Sequence, residues 1–191
     1  NRNFPLDIQG ERLRSRLFYE STGPRYTGDL SVDQLTIGSA GLAEVAFDLN
    51  SQLAISNGRI ELSSARIARN RSVLNFGAAL ESLEHPTVTF NFEGGIQLAD
   101  VPRSIPLPLA RLGGVNVVGT GSVSGASEYH VSGRIAGSGL ALDRPEFRVR
   151  NAGLKASIDF APGRIVAENL KVDALAGSFR GSARLEDSTR L

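Results

Sequence analysis

Apolar and polar residues alternate with a period of two along most of this chain. The segments Ala43–Leu49, Leu74–Leu80 and Val88–Phe92 each place apolar residues at every second position, with polar or small residues between them. Successive side chains of a β-strand point to opposite faces, so each segment predicts a strand with one apolar face. Antiparallel sheets with one apolar and one solvated face produce this pattern. Since helix signals are poor throughout, the sequence predicts an all-β antiparallel sheet with few or no helices.

Turn-forming residues separate these segments. Asn57-Gly58 and Pro162-Gly163 are typical of tight hairpin turns between antiparallel strands. Glu93–Gly95 and Leu112–Gly114 are interpreted as further breaks, and Pro102–Pro108 as a loop or an edge crossing. The chain contains no linker long enough to divide it into independent domains.

The alternation changes phase at two related places. Apolar residues fall on even positions before Ser63-Ser64 and on odd positions after it, and the same slip recurs at Glu168-Asn169. One extra residue at each place would return the apolar residues to a single face, which predicts a β-bulge in both strands. A third slip between Val32 and Leu35 predicts another bulge.

The chain contains an internal repeat. Tyr26–Ser82 aligns without a gap onto Val131–Asp187, at an offset of 105 residues. Repeated units of this kind leave a face that a neighbouring unit covers, so they grow lengthwise into an elongated structure. We therefore expect residues 1–191 to form one repetitive segment. The identities that carry the alignment are Gly28, Leu35, Leu49, Gly58–Ile60, Ala78, Leu80 and Glu81, which recur as Gly133, Leu140, Leu154, Gly163–Ile165, Ala183, Leu185 and Glu186.

Composition excludes several kinds of function. The formal net charge is +1, which disfavours nucleic acid as a partner because phosphate backbones require an excess of cations. Absence of cysteine excludes disulfides and thiolate metal sites. The sequence also lacks methionine, so we expect either a mature form or, the favoured interpretation, a piece of a longer protein. No apolar run approaches the roughly 20 residues of a spanning helix, so a membrane anchor is expected outside these residues.

Candidate catalytic residues are few. His85 and His130 have no second ligand at a useful metal spacing and no obvious serine and aspartate beside them. His85, which precedes Pro86, is interpreted as a surface turn residue. Gly119–Gly125 resembles a phosphate-binding loop, but a strand rather than a helix is expected after it. The carboxylates are spread singly along the strands, and most lie on the polar phase, so they are interpreted as solvated-face residues. We expect no enzyme activity, no cofactor and no metal.

Three arginines lie on one predicted strand. Arg12, Arg14 and Arg16 alternate with Leu13, Ser15 and Leu17, which predicts three cations on one strand face. An exposed strand face that discourages edge-to-edge aggregation is the favoured interpretation. Attraction to anionic lipid headgroups is the alternative.

The apolar residues of the strands form the main candidate site, which we name the apolar stripe. One interpretation is the core of a closed β-sandwich, in which a second sheet covers the stripe. The other is a curved sheet whose concave apolar face stays open as a binding trough. Lengthwise repetition, missing helices and frequent small residues favour the trough. The stripe comprises Phe47, Leu53, Ile55, Ile60, Leu62, Ile67, Leu74, Phe76, Val88, Phe90, Phe92, Ile158, Phe160, Ile165, Val172 and Phe179.

Four segments resemble the TamB/AsmA-like family of Gram-negative envelopes. They are Asn57–Ile67, Ser72–Leu80, Ala161–Ile165 and Leu175–Leu185, and the last is similar to the glycine-punctuated strand that ends a repeat of this family. The resemblance covers most of the chain as a pattern rather than a rigid motif. It implies a repeating β-groove folded like a taco, in which the apolar stripe lines the groove.

The resemblance also implies a function and a location. It implies a periplasmic segment, tethered to the inner membrane by an anchor elsewhere in the protein, with an outer-membrane partner of the Omp85 type (TamA). The groove would carry phospholipid acyl chains between the inner and outer membranes in outer-membrane biogenesis. Two alternatives stay open: a chaperone or scaffold groove that assists assembly of outer-membrane β-barrel proteins, and a closed β-sandwich interaction module. The family provides no catalytic residues to transfer.

Overall fold

The described part of the chain forms one antiparallel sheet of eleven strands in sequence order. The computed structural model describes residues 6–39, 42–82, 84–101, 112–124, 128–143 and 148–186. The expectation of an open, elongated, curved antiparallel sheet is confirmed. The strands are β1 (Leu6–Glu20), β2 (Arg25–Ser39), β3 (Leu42–Ser56), β4 (Arg59–Arg69), β5 (Ser72–Glu81), β6 (Thr87–Gln97), β7 (Gly114–Ser124), β8 (Glu128–Asp143), β9 (Arg148–Ala161), β10 (Arg164–Ala174) and β11 (Gly177–Glu186).

Each strand pairs with its neighbours in sequence, and the connections among the described residues are mostly short. The turn from β3 to β4 consists of Asn57 and Gly58, and the turn from β9 to β10 of Pro162 and Gly163. Both glycines have left-handed backbones, with φ of 70° at Gly58 and 69° at Gly163, a region that glycine adopts without steric cost. The two predicted hairpin turns are confirmed. A single 3₁₀ turn, Leu98–Asp100, follows β6.

The sheet repeats along its length at the offset seen in the sequence. Strands β4 and β5 begin and end 105 residues before β10 and β11, respectively. The left-handed residue inside β4, Ser64 (φ 53°), recurs inside β10 as Asn169 (φ 51°). Gln34 (φ 51°) in β2 likewise recurs as Gly139 (φ 63°) in β8. The strand order and these irregularities of β2–β5 therefore recur in β8–β11, with the same bounds for β4 and β5 and bounds that differ by one or two residues for β2 and β3.

Each predicted phase slip is a β-bulge. The register shifts between Leu62 and Ala65 in β4, and between Ala167 and Leu170 in β10. A third shift separates Val32 from Leu35 in β2. Because a bulge opposes two residues to one, the apolar residues on both sides of it share a face. These three predictions are confirmed.

Two loop predictions have different outcomes. Gly94 and Gly95 lie inside β6, so the predicted break at Glu93–Gly95 is wrong. A glycine is required at position 94 because a Cβ atom there would meet the carbonyl oxygen of Val73 on the adjacent strand. The predicted break at Leu112–Gly114 is confirmed, since β7 begins at Gly114. The predicted loop Pro102–Pro108 lies outside the described residues.

The described strands form a single layer. No second sheet covers the first within the described residues, so the closed-sandwich alternative is wrong for this part of the chain. The accessible surface is 13187 Å² for a chain of 20.3 kDa. A compact protein of this mass exposes roughly 8,800 Å². The main buried cluster, Val32, Leu49 and Ala65, packs between β2, β3 and β4 rather than between layers.

Candidate apolar binding face

Strand register places the whole apolar stripe on one face of the sheet. Directly opposed residues of antiparallel strands share a face. Phe76 lies opposite Phe92, and Ile67 lies opposite Leu74. Following these pairs from β3 to β11 puts every residue of the stripe on the same side. We name this side the apolar face and the opposite side the polar face. That the stripe lines a lipid groove stays a prediction.

The apolar face is partly covered by its own side chains and by no other layer among the described residues. Phe76, Phe90 and Phe92 are half-buried. Phe179, on the edge strand β11, is 61% exposed. No large side chain of the described residues is fully buried. Neighbouring strands thus shield these side chains laterally, and no other described element lies over them.

Glycines on the apolar face show where the sheet bends. Gly119 and Gly133 lie opposite each other on β7 and β8. A Cβ atom on Gly133 would lie 2.6 Å from the carbonyl oxygen of Val118, and one on Gly119 would meet the carbonyl oxygen of Ser132. On the polar face, a Cβ atom on Gly77 would approach only the Asn91 side chain, at 3.2 Å. The backbones approach each other on the apolar side, which bends the sheet toward the apolar face.

Three concavities open on the polar face, with volumes of about 990, 660 and 800 Å³. Serine, threonine, asparagine and glycine occupy many polar-face positions, and these small residues leave space between the strands. Phenylalanine and branched side chains fill the corresponding space on the apolar face. The evidence for a concave apolar face is the close approach of the β7 and β8 backbones at Gly119 and Gly133.

Two of the concavities are named for later use. The 800 Å³ concavity, on β1–β4, is the first cleft, and the 660 Å³ concavity, centred on β8 and β9, is the second cleft.

His130 has partners on the polar face that the sequence does not predict. Its Nε2 atom lies 2.6 Å from Oδ2 of Asp159, and Nη2 of Arg164 lies 2.8 Å from Oδ1 of the same carboxylate. Ser122 is the cross-strand neighbour of His130, yet no hydrogen bond joins the two side chains. The expectation that no serine and aspartate lie beside a histidine is wrong, because strand pairing unites residues that are distant in sequence. The side chains of His130, Asp159 and Arg164 form a hydrogen-bonded group centred on the Asp159 carboxylate.

The pKa of the Asp159 carboxyl is lowered by the His130 hydrogen bond and then by Arg164. Replacing His130 with alanine is expected to raise this pKa toward the ordinary value of about 4, since the larger of the two effects is removed. Carbon-13 NMR of the Asp159 carboxyl during a pH titration measures the change. The matched control is His85→Ala, which is exposed and should leave Asp159 unchanged. An unchanged Asp159 titration in the His130 variant would contradict the assignment.

Four carboxyl groups with lowered pKa predict loss of stability in acid. The pKa of Glu20, Asp100, Asp159 and Asp173 is lowered chiefly by hydrogen bonds from Thr27, Ser72, His130 and Lys171, respectively. A carboxyl with a lowered folded-state pKa stabilises the protein above its unfolded-state pKa, and this contribution disappears as the pH falls through the folded-state pKa. The free energy of unfolding should therefore be level near neutrality and decrease below about pH 4. Urea denaturation across this range measures it.

The arginines of β1 are partly neutralised. Nε of Arg12 lies 3.3 Å from Oδ2 of Asp33, and Nη2 of Arg14 lies 2.9 Å from the same oxygen. Arg12 is the left-handed residue of a bulge, with φ of 50°. Arg16 lies opposite Asp29 but forms no ion pair with a described residue. Both arginine side chains are well exposed, so each pair contributes at most about 1 kcal/mol.

Comparison with known proteins identifies no relative. No family model, no curated protein and no solved structure matches this chain. Within the described residues, no helix has the length and apolar character needed to cross a membrane. The fold and the two faces of the sheet are therefore the basis for any functional assignment.

Proposed function

We propose that the apolar face binds the acyl chains of phospholipids. In this proposal the chain is a periplasmic segment of a TamB/AsmA-like protein, and the face carries lipids between the inner and outer membranes. The observation that carries the proposal is the apolar stripe on one face of an eleven-strand sheet, with no second layer over it in the described residues. A contiguous apolar surface that no second layer covers is normally a binding surface.

The dimensions and chemistry of the face suit an extended apolar ligand. Eleven strands at roughly 4.8 Å give a face about 50 Å wide. Each methylene removed from water contributes roughly 0.8 kcal/mol, so an acyl chain gains free energy along its whole length. Binding of this kind is tolerant of position, because hydrophobic contact has no preferred direction. A charged headgroup would stay in water at the rim of the face.

An outer-membrane partner such as TamA stays a prediction.

The open sheet edges favour a second candidate function, reception of unfolded outer-membrane β-strands. Within the described sheet, β1 pairs only with β2, and β11 pairs only with β10. The unpaired backbone groups of an edge strand can bind another strand by β-augmentation. The exposed side chains of β11 leave this edge accessible. Polypeptide cargo would contact the edges, whereas acyl chains would contact the apolar face.

Titration of the delipidated protein with a fluorescent fatty acid tests the proposal. Saturable binding that a phospholipid displaces is the expected result. Photocrosslinking in cells separates the two candidates, because a crosslinker at position 76 should capture lipid, and one at position 180 should capture polypeptide only if the second candidate is correct. Delipidated protein that fails to bind the probe at any concentration would contradict acyl-chain binding.

A further inference from the structure

The first and second clefts are two copies of one feature. Each is lined by three consecutive repeat strands, β2–β4 for the first cleft and β8–β10 for the second, together with residues of neighbouring strands. Their linings coincide at the repeat offset of 105 residues. The equivalent lining positions include Asn50 and Lys155, Gln52 and Ser157, and Ser64 and Asn169.

The bulge of the repeat contributes to both clefts. Ser64 and Asn169 are the left-handed residues of the β4 and β10 bulges, and each lines its cleft. A bulge bends its strand and redirects side chains. A bulge also contains one extra residue that has no pairing partner on the adjacent strand. The clefts are therefore built by the fold itself, about 29 Å apart for six strands at roughly 4.8 Å.

The second cleft contains two cations without ion-pair partners among the described residues. Arg134 lies opposite Ser157, and Lys155 lies opposite Ala136, so the two cations are diagonal neighbours on β8 and β9. Glu93, the carboxylate of this cleft, is two strands from Arg134, about 10 Å away, and forms no ion pair with it.

Lys155 also faces another cation. It lies directly opposite Lys171, whose Nζ atom is held 2.9 Å from Oδ2 of Asp173. Asp173 acts on Lys155 only as a weaker, longer-range charge. Like charges directly opposite each other destabilise a sheet, so an anion bound at Lys155 would offset this repulsion.

The first cleft repeats this charge arrangement with different residues. Arg16 and Arg66 line it, and neither forms an ion pair with a described residue, whereas Arg14 is held by Asp33. Asp29 is the carboxylate of the cleft. The position of Asp29 corresponds to Arg134 in the second cleft, yet both clefts have an excess of cations. The excess of positive charge therefore recurs, although residues at different positions of the repeat provide it in the two clefts.

We propose that both clefts bind phosphate groups, as monoesters or diesters. Guanidinium groups bind phosphate oxygens through paired N–H donors, and lysine adds a point charge. Serine and asparagine side chains in each cleft supply further neutral donors. The phosphate could belong to a soluble metabolite or to a lipid headgroup. Both clefts lie on the polar face, so this proposal is independent of acyl-chain binding on the apolar face.

Titration of the isotope-labelled chain with sodium phosphate and with glycerol 3-phosphate tests the proposal by NMR. Saturable shifts are expected at the backbone amides of residues 155, 157 and 169, and at the equivalent residues 50, 52 and 64. Sodium acetate at equal ionic strength is the reference. The double variant R134Q/K155Q should weaken binding at the second cleft by at least about tenfold, since each charge-assisted contact is lost, and leave the first cleft unchanged. The variant R71Q/R150Q removes the same charge from two exposed arginines outside the cleft linings.

Cosedimentation with vesicles identifies the source of the phosphate group. Vesicles of phosphatidylglycerol are compared with vesicles of phosphatidylcholine. Binding of phosphatidylglycerol that R134Q/K155Q weakens and R71Q/R150Q preserves indicates a lipid headgroup, whereas cleft-specific binding of glycerol 3-phosphate alone indicates a soluble ligand. The proposal is overturned if neither probe saturates, or if R71Q/R150Q weakens binding as much as R134Q/K155Q.

Discussion

Replacing Phe76 or Phe90 with arginine is expected to abolish fatty-acid binding. Both side chains are half-buried on the apolar face, on the adjacent strands β5 and β6. An arginine at either position places an unpaired charge where an acyl chain would lie. Burying a charge without a partner costs several kcal/mol, so a loss of more than about 100-fold in affinity is expected. Fluorescent fatty-acid titration measures this loss.

Matched controls come from the same strand. Thr89 and Asn91 alternate with Phe90 on β6 and are exposed on the polar face. Thr89→Arg and Asn91→Arg add the same charge to the same strand but on the opposite side, so they should bind fatty acid like the parent chain. Circular dichroism should show unchanged strand content in all four variants. Retained binding in both phenylalanine variants would show that the ligand does not occupy this part of the apolar face.

Alanine at Gly119 or Gly133 is expected to destabilise the sheet strongly. The two glycines oppose each other at the bend between β7 and β8. A Cβ atom on Gly119 would lie 2.6 Å from Cζ of Phe92 as well as against the Ser132 carbonyl, and one on Gly133 would lie 2.6 Å from the Val118 carbonyl oxygen. Backbone cannot move aside as a flexible side chain does, so each substitution should cost about 1–3 kcal/mol or more. Urea denaturation measures the change in unfolding free energy.

Gly153→Ala is the matched control for this experiment. Gly153 lies inside β9, and a Cβ atom there would have no neighbour closer than 3.8 Å. Its substitution should change the free energy of unfolding by no more than about 0.5 kcal/mol. If Gly133→Ala is as stable as Gly153→Ala, the close approach of β7 and β8 is not a requirement of the fold.

The two faces of the sheet carry different side chains, apolar on one and polar on the other. Period-two alternation separates apolar from polar side chains, and a single-layer sheet exposes both sets. Acyl chains and phosphate groups would therefore bind independently. Arginine substitutions at Phe76 and Phe90 should leave the clefts unaffected, and R134Q/K155Q should leave fatty-acid binding unaffected.

The sequence by itself determined most of the strands, the principal bulges and the sharing of one face by the apolar stripe. Side-chain direction in a strand depends only on residue parity, which is readable locally. An extra residue at Ser64 or Asn169 appears as a change of that parity, so both bulges could be predicted. The hairpin turns were predictable because Gly58 and Gly163 favour left-handed backbone conformations.

Tertiary structure alone decided four other features. Gly94 reads as a turn in sequence but lies within β6, because close approach to Val73 excludes a side chain there. The contact of His130 with Asp159 depends on the register of β8 and β9, as does the meeting of Arg134 and Lys155 in the second cleft. Coverage of the apolar face depends on how strands assemble across the whole sheet. These features arise between strands, and alternation within one strand carries no information about its neighbour's register or curvature.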